Sequence, residues 1–236
     1  MRHCYLFSIK NRFSFFKPLI LQLKDIYKSF PEKLFISVTD FNSDDACIST
    51  FLSELDVDFS YRCFDENFNL GKGWNLASEH EEISNNDILV FLTNDTTVGN
   101  IDLPATIEKY TNQHNSIFIP VHAMETKNKD FIFGGGACLW SLYKSDFLKI
   151  GNVPESETWS DAHKWAGGRC GEDDFFVFSA KTKGFKVHRC EEKGIIAKWH
   201  PRDMNNPWYG NSKCMKERKI TPQNCPKWWT IIPKND

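Results

Sequence analysis

The stretch Asp87-Ile88-Leu89-Val90-Phe91-Leu92-Thr93-Asn94-Asp95 decides the fold. An unbroken apolar run of this length is typical of a strand that is buried on both faces, as in a parallel sheet. The run changes at once to Thr93, Asn94 and Asp95, which are polar and favour turns. In sheets of parallel strands, ligands bind beyond the carboxyl ends of the strands. The sequence therefore places three polar residues where a ligand site is expected.

The chain before this stretch alternates between two hydrophobic patterns. Short apolar or alternating runs predict strands over residues 5–9, 33–39 and 58–64. Apolar residues at helical spacing predict helices over residues 15–30, over residues 43–55 and from Trp74 onward. Strands that alternate with helices indicate a parallel sheet with right-handed crossovers. The fold class is therefore predicted to be α/β.

The predicted strand ends and the loops after them carry a shared set of polar and basic residues. They are Lys10, Asn11, Arg12, Asp40, Asn69, Lys72, Asn94 and Asp95. Because the carboxyl ends of parallel strands meet at one edge of a sheet, we expect these residues to lie together. Lysine and arginine at such an edge are suited to neutralise a diphosphate. This collective pattern is more informative than any of its members.

The second half of the chain contains a run of three acids, Glu172-Asp173-Asp174, between a glycine-rich stretch and Phe175-Phe176. Two interpretations are open. Acids in the first turn of a helix complement its macrodipole. Carboxylates beside a ligand pocket can instead act as a general base and accept hydrogen bonds from hydroxyl groups.

Composition excludes several classes of protein. The chain has 236 residues and a net charge of −2, which gives no sign of a nucleic-acid partner. The sequence contains no run of 18 apolar residues, so it predicts no transmembrane helix. The apolar run at the N-terminus is too short for a signal peptide. The eight cysteines include no C-x-x-C pair, so they do not predict a zinc site. We expect mostly reduced thiols in a cytoplasmic protein, and the sequence leaves open a bridge between Cys214 and Cys225. The sequence leaves open the oligomeric state and a peripheral association with a membrane glycan-assembly system.

These motifs together resemble the GT-A class of nucleotide-sugar glycosyltransferases, most closely the beta-1,4-galactosyltransferase family and chondroitin-polymerase-type transferases. Ser8-Ile9-Lys10-Asn11-Arg12 is similar to that family's P-F-R-N-R. The stretch from Phe68 to Asn75 is similar to F-N-R-A-x-x-x-N, and Leu92-Thr93-Asn94-Asp95-Thr96 stands where the family has D-x-D.

Three further pieces follow in the family's order. Phe133-Gly134-Gly135 resembles F-G-G, and Gly171-Glu172-Asp173-Asp174 resembles G-G-E-D-D. Residues 196–203 look like M-I-R-H-S-R-D, with His200 at the histidine. The resemblance implies a single GT-A domain over residues 1–236, with a nucleotide-binding half over 1–100 and an acceptor-binding half over 101–236.

The resemblance also implies roles for particular residues. Asp95 and His200 would hold a divalent cation, Mn²⁺ or Mg²⁺, whereas His188 lies in an alternating strand and is interpreted as packing. Asp173 would be the general base, and Glu172 and Asp174 would orient the acceptor or cap the helix. The residues expected to contact the UDP-sugar are Lys10, Arg12, Asp40, Asn69, Lys72, Asn94, Asp95, Gly134 and Gly135. Turn formation is the alternative for Asp40, and solvated charge is the alternative for Arg12 and Lys72.

The chain departs from the family pattern at three positions. Thr93 replaces the first acid of D-x-D and Ala197 replaces a methionine ligand, so we expect weaker metal binding, with the diphosphate completing the coordination. Arg169 stands where the family has a tryptophan.

Ile132 precedes Phe133-Gly134-Gly135. In the family, a small aliphatic residue at this place goes with an N-acetylated donor and a tyrosine goes with galactose, so the resemblance implies an N-acetylated donor here. Core packing explains Ile132 equally well.

The predicted function is an inverting, metal-dependent transferase that moves a sugar from a UDP-sugar to a saccharide hydroxyl, as in polysaccharide biosynthesis. Two alternatives remain at this point. One is a retaining GT-A transferase, and the other is a non-catalytic nucleotide-sugar- or glycan-binding module on the same fold.

Overall fold

A computed structural model describes residues 1–99, 101–120, 122–125, 131–134, 138–153, 155, 172–189 and 194–197. The strands are β1 His3–Ile9, β2 Leu34–Asp40, β3 Asp58–Cys63, β4 Ile88–Leu92, β5 Thr96–Val98, β6 Ser116–Phe118, β7 His122–Glu125, β8 Phe131–Gly134, β9 Leu139–Tyr143, β10 Lys186–His188 and β11 Ile195–Ala197. The helices are α1 Phe13–Ile26, α2 Ile48–Ser53, α3 Leu70–Ser78, α4 Leu103–Thr111, α5 Lys144–Ile150 and α6 Glu172–Thr182, with a 3₁₀ turn at Pro31–Lys33.

A seven-stranded sheet forms the centre, in the order β10-β6-β9-β4-β1-β2-β3. Its strands run parallel to one another except β9, which is antiparallel to both β4 and β6. A smaller sheet has the order β5-β11-β7-β8. The predicted α/β class with a mostly parallel sheet is confirmed.

Two apolar layers cover the faces of the central sheet, and β1 supplies both by alternation. Tyr5, Phe7 and Ile9 belong to the layer beneath α1, α2 and α4, whereas Cys4 and Leu6 belong to the layer beneath α3, α5 and α6. The second layer is rich in stacked rings. The rings of Phe91 on β4 and Trp140 on β9 lie parallel with centroids 3.6 Å apart. The near-continuous apolar strands are therefore explained by burial on both sides.

Helix α1 spans Phe13–Ile26 rather than the predicted residues 15–30. Two helix starts near the ligand edge also differ from expectation. Residues 43–45 do not cap α2, which begins at Ile48, because Ser43 and Asp45 instead accept hydrogen bonds from the N–H groups of Asn11 and Phe13. α3 begins at Leu70 rather than at Trp74, so Gly73 is helical. A Cβ atom at Gly73 would lie 2.1 Å from Ser8 Oγ, so only glycine lets α3 approach β1 this closely.

A buried polar chain joins β1 to α1. His3 Nδ1 lies 2.6 Å from the Tyr27 hydroxyl, which lies 2.9 Å from the Tyr5 hydroxyl, and His3 Nε2 lies 3.6 Å from Glu108. Burial lowers the pKa of His3 from 6.5 to about 4, against the opposing attraction of Glu108.

We expect this histidine to make folding stability depend on pH. Since the native pKa lies below the unfolded value, the unfolded chain binds the proton first, and stability falls as pH decreases from 6.5 to 4. The loss is about 3 kcal/mol for the full shift. Urea unfolding of the protein and of His3→Gln at pH 7 and pH 4.5 measures it. The two proteins should differ in their pH dependence, and equal dependence would contradict the assignment.

No helix in the described part of the chain is both long and apolar enough to cross a bilayer.

Candidate functional site

The candidate site lies at the carboxyl ends of β1, β2, β3 and β4. β1 is the strand where the order reverses, because the chain moves from β1 to β2 and β3 on one side and then to β4 on the other. In open α/β sheets, ligands bind in the crevice at this switch point. The predicted edge residues that the structure describes, from Lys10 to Asp95, all follow these four strands.

The loops after β1 and β2 are bound to each other. Lys10 Nζ donates a hydrogen bond of 2.9 Å to the Phe41 carbonyl oxygen. The Asn11 N–H donates to Ser43 Oγ, and the Asp44 N–H donates to Asn11 Oδ1, both at 2.9 Å. The two loops therefore form one polar platform beside the switch point. Residues 43–45 therefore resemble a helix cap in sequence, but Ser43 and Asp44 form hydrogen bonds with Asn11.

Asp40 is a buried member of this platform. Asp40 Oδ1 accepts hydrogen bonds from the Ser43 N–H and the Ser43 hydroxyl, at 3.0 and 2.7 Å. Asp40 Oδ2 accepts one from the Tyr61 hydroxyl at 2.7 Å, and burial together with this bond raises the pKa of Tyr61. The carboxylate already holds the loop in place, and its contact with a nucleotide stays a prediction.

The start of α3 lies beside the end of β1. Asn69 caps the helix, since its Oδ1 accepts a bond of 2.9 Å from the Lys72 N–H. The Asn69 carbonyl oxygen also accepts a bond of 3.3 Å from Ser8 Oγ. Lys72 Nζ forms an ion pair with Glu66, and both side chains are partly exposed. Lys72 therefore lies at the predicted edge of the sheet. A diphosphate that binds its ammonium group would have to compete with Glu66.

Asp95 lies in a tight turn over residues 93–96, which we call the Asp95 turn. The Thr96 N–H donates to the Thr93 carbonyl oxygen at 3.1 Å, and the two threonine hydroxyls are 2.9 Å apart. The Thr93 N–H donates to the Cys138 carbonyl oxygen at 3.0 Å, which binds the turn to the residue before β9. Backbone and side-chain bonds thus fix the loop that carries the candidate metal ligand.

Asn94 binds the same turn to β1. Its Nδ2 donates a hydrogen bond of 3.0 Å to the Ser8 carbonyl oxygen, across the switch point between β1 and β4. Asn94 was expected to contact the nucleotide, and that contact stays a prediction. The structure shows the position of its amide, which links the end of β4 to the end of β1.

β11 brings a second segment beside the Asp95 turn. It pairs antiparallel with β5, with Ala197 opposite Thr96. Ala197 is the expected methionine-ligand position, so the strand that precedes His200 runs next to Asp95. His200 itself lies outside the described residues. His188, interpreted as packing, lies in β10 with its ring 6.2 Å from that of Tyr110.

A cleft of about 440 Å³ opens between the first turns of α1 and the Asp95 turn. Its walls combine apolar side chains of α1 with polar side chains beside β4. They are Ser14, Phe15, Pro18, Leu19, Gln22, Asn94, Asp95, Thr96 and Thr97. Asp95 therefore borders a concave surface rather than a flat one.

The three acids occupy the first turn of α6, which begins at Glu172. α6 ends near the start of β10, at the edge opposite the site. Its other end approaches the site, because Phe176 packs on Trp140 with ring centroids 4.7 Å apart, and Trp140 pairs with Phe91 near the end of β4. The helix thus directs its amino terminus towards the carboxyl edge of the sheet. The first-turn position of the acids is confirmed, and their catalytic role stays a prediction.

The glycine motif is only partly described. Gly134 ends β8, which pairs with β7 in the smaller sheet, and Gly135 lies outside the described residues. Sequence reasoning did not single out Tyr61, gave Ser8 no role of its own within its motif, and interpreted Ser43 as part of a helix cap. A tyrosine on an edge strand and a serine at the end of a buried strand give little signal of the bonds they make.

The residues present fit a hard divalent cation only in part. Asp95 offers a carboxylate oxygen of the type that Mn²⁺ and Mg²⁺ prefer. Within the described ranges, no three histidine, cysteine, aspartate or glutamate side chains form a metal-binding group. A cation here would therefore need oxygen ligands from a bound diphosphate and from the chain beyond β11.

No protein-family model matches the sequence, and no curated protein is significantly similar to it. Solved structures do resemble the fold. TarS from S. aureus, solved with UDP-GlcNAc as residues 1–349, has a TM-score of 0.62 and 14% identity over 86% of this chain and 60% of that one. GalNAc-T7, solved with UDP, GalNAc and Mn²⁺, has a TM-score of 0.62 and 10% identity over 92% of this chain and 47% of that one.

A protein from Bacillus anthracis described as a glucose-1-phosphate thymidylyltransferase, solved with sucrose, has a TM-score of 0.52 and 14% identity over 94% of this chain and 96% of that one. Identities this low show the fold alone. The chain spans about half to three-fifths of the TarS and GalNAc-T7 structures.

Proposed function

We propose that this chain, which has the GT-A fold, is an inverting, metal-dependent glycosyltransferase that moves a sugar from a UDP-sugar to a saccharide hydroxyl. One observation carries the proposal: the Asp95 turn, the strand before His200 and the amino terminus of α6 converge on the carboxyl edge of one sheet. The neighbours that bind UDP-GlcNAc, or UDP with Mn²⁺, support this choice of substrate and metal.

The nucleotide would lie across the switch point. Lys10 and Arg12 follow β1, and Lys72 follows the cap of α3, so positive charge approaches the diphosphate from both of these segments. The remaining contacts are assigned to residues with polar side chains or exposed backbone at the same edge. They are Asp40, Asn69, Asn94, Asp95, Gly134 and Gly135.

Asp95 and His200 would hold Mn²⁺ or Mg²⁺ together with diphosphate oxygens. A bound cation supplies electrostatic stabilisation of the departing diphosphate. The protein's own contribution is a turn that is held by hydrogen bonds between Thr93 and Thr96 and between Thr93 and Cys138, none of which uses a ligand atom.

Asp173 would remove the proton from the acceptor hydroxyl. The acceptor oxygen then forms a bond to the anomeric carbon as the bond to the diphosphate oxygen breaks, so UDP leaves and the configuration inverts. The proton passes to the Asp173 carboxylate. Glu172 and Asp174 would orient the acceptor, and their place in the first turn also suits the helix dipole.

The donor is proposed to carry an N-acetyl group. Ile132 lies in β8 opposite Met124 of β7, two residues before Gly134. An aliphatic residue at this place leaves more room for a substituent on the sugar than a tyrosine does. A strong preference for UDP-galactose would contradict this part of the proposal.

A donor screen tests the proposed function. The full chain is incubated with UDP-GlcNAc, UDP-GalNAc, UDP-glucose and UDP-galactose, each with Mn²⁺ or with EDTA, and a mixture of saccharide acceptors, and UDP release is measured. We expect release with one donor that depends on Mn²⁺ and on acceptor. Nucleotide binding without turnover would favour a binding module, and a product that keeps the anomeric configuration of the donor would favour a retaining transferase.

A further inference from the structure

The departure from D-x-D at Thr93 has a structural counterpart in the Asp95 turn. The Thr93 and Thr96 hydroxyl oxygens are 2.9 Å apart, directly across the turn that presents Asp95. The Thr96 hydroxyl is buried and donates to the Cys138 carbonyl oxygen at 3.5 Å. Thr96 is then the acceptor in the bond between the two threonines, and Thr93 is the donor.

We propose that Thr93 is a positioning residue that holds Asp95 in its metal-binding place through the hydroxyl chain Thr93–Thr96–Cys138. The inference rests on the proposed function, because it gives Asp95 a cation to position. Thr93 contacts no substrate and acts through the turn.

An acid would not serve in the same way. A carboxylate at neutral pH only accepts hydrogen bonds, so it cannot donate to Thr96 while Thr96 donates to Cys138. Its oxygens also lie one bond further from the backbone than a threonine hydroxyl. With threonine at position 93, the site has one carboxylate fewer to bind a cation. The threonine hydroxyl instead takes part in uncharged hydrogen bonds that connect the end of β4, the start of β5 and Cys138.

The test compares Thr93→Val, Thr93→Ser and Thr93→Asp with the unmodified protein. Valine keeps the shape and removes the hydroxyl, and serine restores it. The matched control is Thr39→Val at the end of β2, since the buried Thr39 hydroxyl has no hydrogen-bond partner among the described residues. Replacing it should leave the site unchanged and not lower stability.

Two readouts are used. Amide hydrogen exchange of residues 93–96 in the ligand-free protein reports the turn itself. Calorimetry of UDP binding with and without Mn²⁺ reports the metal-dependent part of the affinity. For Thr93→Val we expect the amides of residues 93–96 to exchange about tenfold faster. We also expect the factor by which Mn²⁺ raises the affinity for UDP to be about tenfold smaller. A tenfold change corresponds to the upper range of the free energy of one hydrogen bond.

Thr93→Ser should stay within about twofold of the unmodified protein, since it keeps the donor. Unchanged exchange and unchanged metal dependence in Thr93→Val would overturn the proposal. A Thr93→Asp variant that binds UDP and Mn²⁺ more tightly would also overturn it, because Thr93 would then be only a missing ligand.

The outcome for the proposed function is separate. An unmodified protein whose UDP affinity does not respond to Mn²⁺ would refute the metal-dependent transferase, and with it the purpose assigned to the turn. If that response is present and Thr93→Val does not alter it, only the positioning role fails. Thr96→Val, which removes the other end of the bond, should reproduce Thr93→Val, and a double variant no worse than either single variant would support one shared interaction.

Discussion

Asp173→Asn is expected to lower kcat by about 10²–10⁴-fold, the usual contribution of a general base. Asparagine has nearly the shape of aspartate but cannot take a proton from the acceptor hydroxyl. UDP affinity with Mn²⁺ should stay unchanged, because residue 173 lies in the first turn of α6 and not among the loops after β1, β2 and β4. Steady-state kinetics with the donor from the screen, together with UDP calorimetry, measures both quantities.

Asp174→Asn and Glu172→Gln serve as the comparisons for this prediction. They remove a charge from the same helical turn, and we expect them to raise the acceptor KM more than they lower kcat. If either of them reduces kcat more strongly than Asp173→Asn, the base is a different residue. If Asp173→Asn transfers sugar at close to the normal rate, the acid triplet only supports the helix dipole.

Asp95→Asn is the second substitution with a large expected effect. It removes the carboxylate charge from the Asp95 turn and keeps a side chain of similar size. We expect turnover to fall by about 10²–10³-fold, the scale of losing one preorganised electrostatic group at a reacting centre. UDP affinity in the presence of Mn²⁺ should fall to the value measured in EDTA, which calorimetry determines directly.

Asp44→Asn is the control for charge alone, since Asp44 is an exposed acid in the loop after β2 at the same edge. It should bind UDP with the normal response to Mn²⁺. If the Asp95→Asn variant keeps the normal dependence of UDP affinity on Mn²⁺, residues other than Asp95 hold the cation.

The fold was predictable because its strands are buried on both faces. The apolar run at 88–92 and the alternation of strands and helices before it led directly to the parallel sheet and its ligand edge. Helix starts were less predictable. Ser43 and Asp45 have the composition of a cap, but the loops they bind are distant in sequence, and such partners leave no local pattern.

The candidate site was predictable in position and less so in its bonding. Residues at strand ends were placed correctly because topology alone brings them together. The bonds from Ser43 to Asp40 form the turn that the sequence offered as the alternative role for this aspartate. The bond from Tyr61 was not foreseen, because this side chain comes from the neighbouring strand β3. The hydroxyl link between Thr93 and Thr96 was missed for another reason. Comparison with the D-x-D motif shows only that position 93 lacks a metal ligand. It does not predict the hydrogen bond that a threonine makes at this position.

The attachment of the Asp95 turn to Cys138 has a consequence for the order in which the protein folds. The turn belongs to the first hundred residues, yet one of its backbone partners comes 45 residues later, and its neighbouring strand β11 lies about a hundred residues later. Contacts between distant parts of a chain form slowly, because loop closure must precede them. During synthesis on a ribosome, β1 to β4 can emerge and pair first. The Asp95 turn gains all its partners only after Cys138 and β11 have been synthesised. Nascent chains would therefore acquire the site late, as one of the last features of the native state.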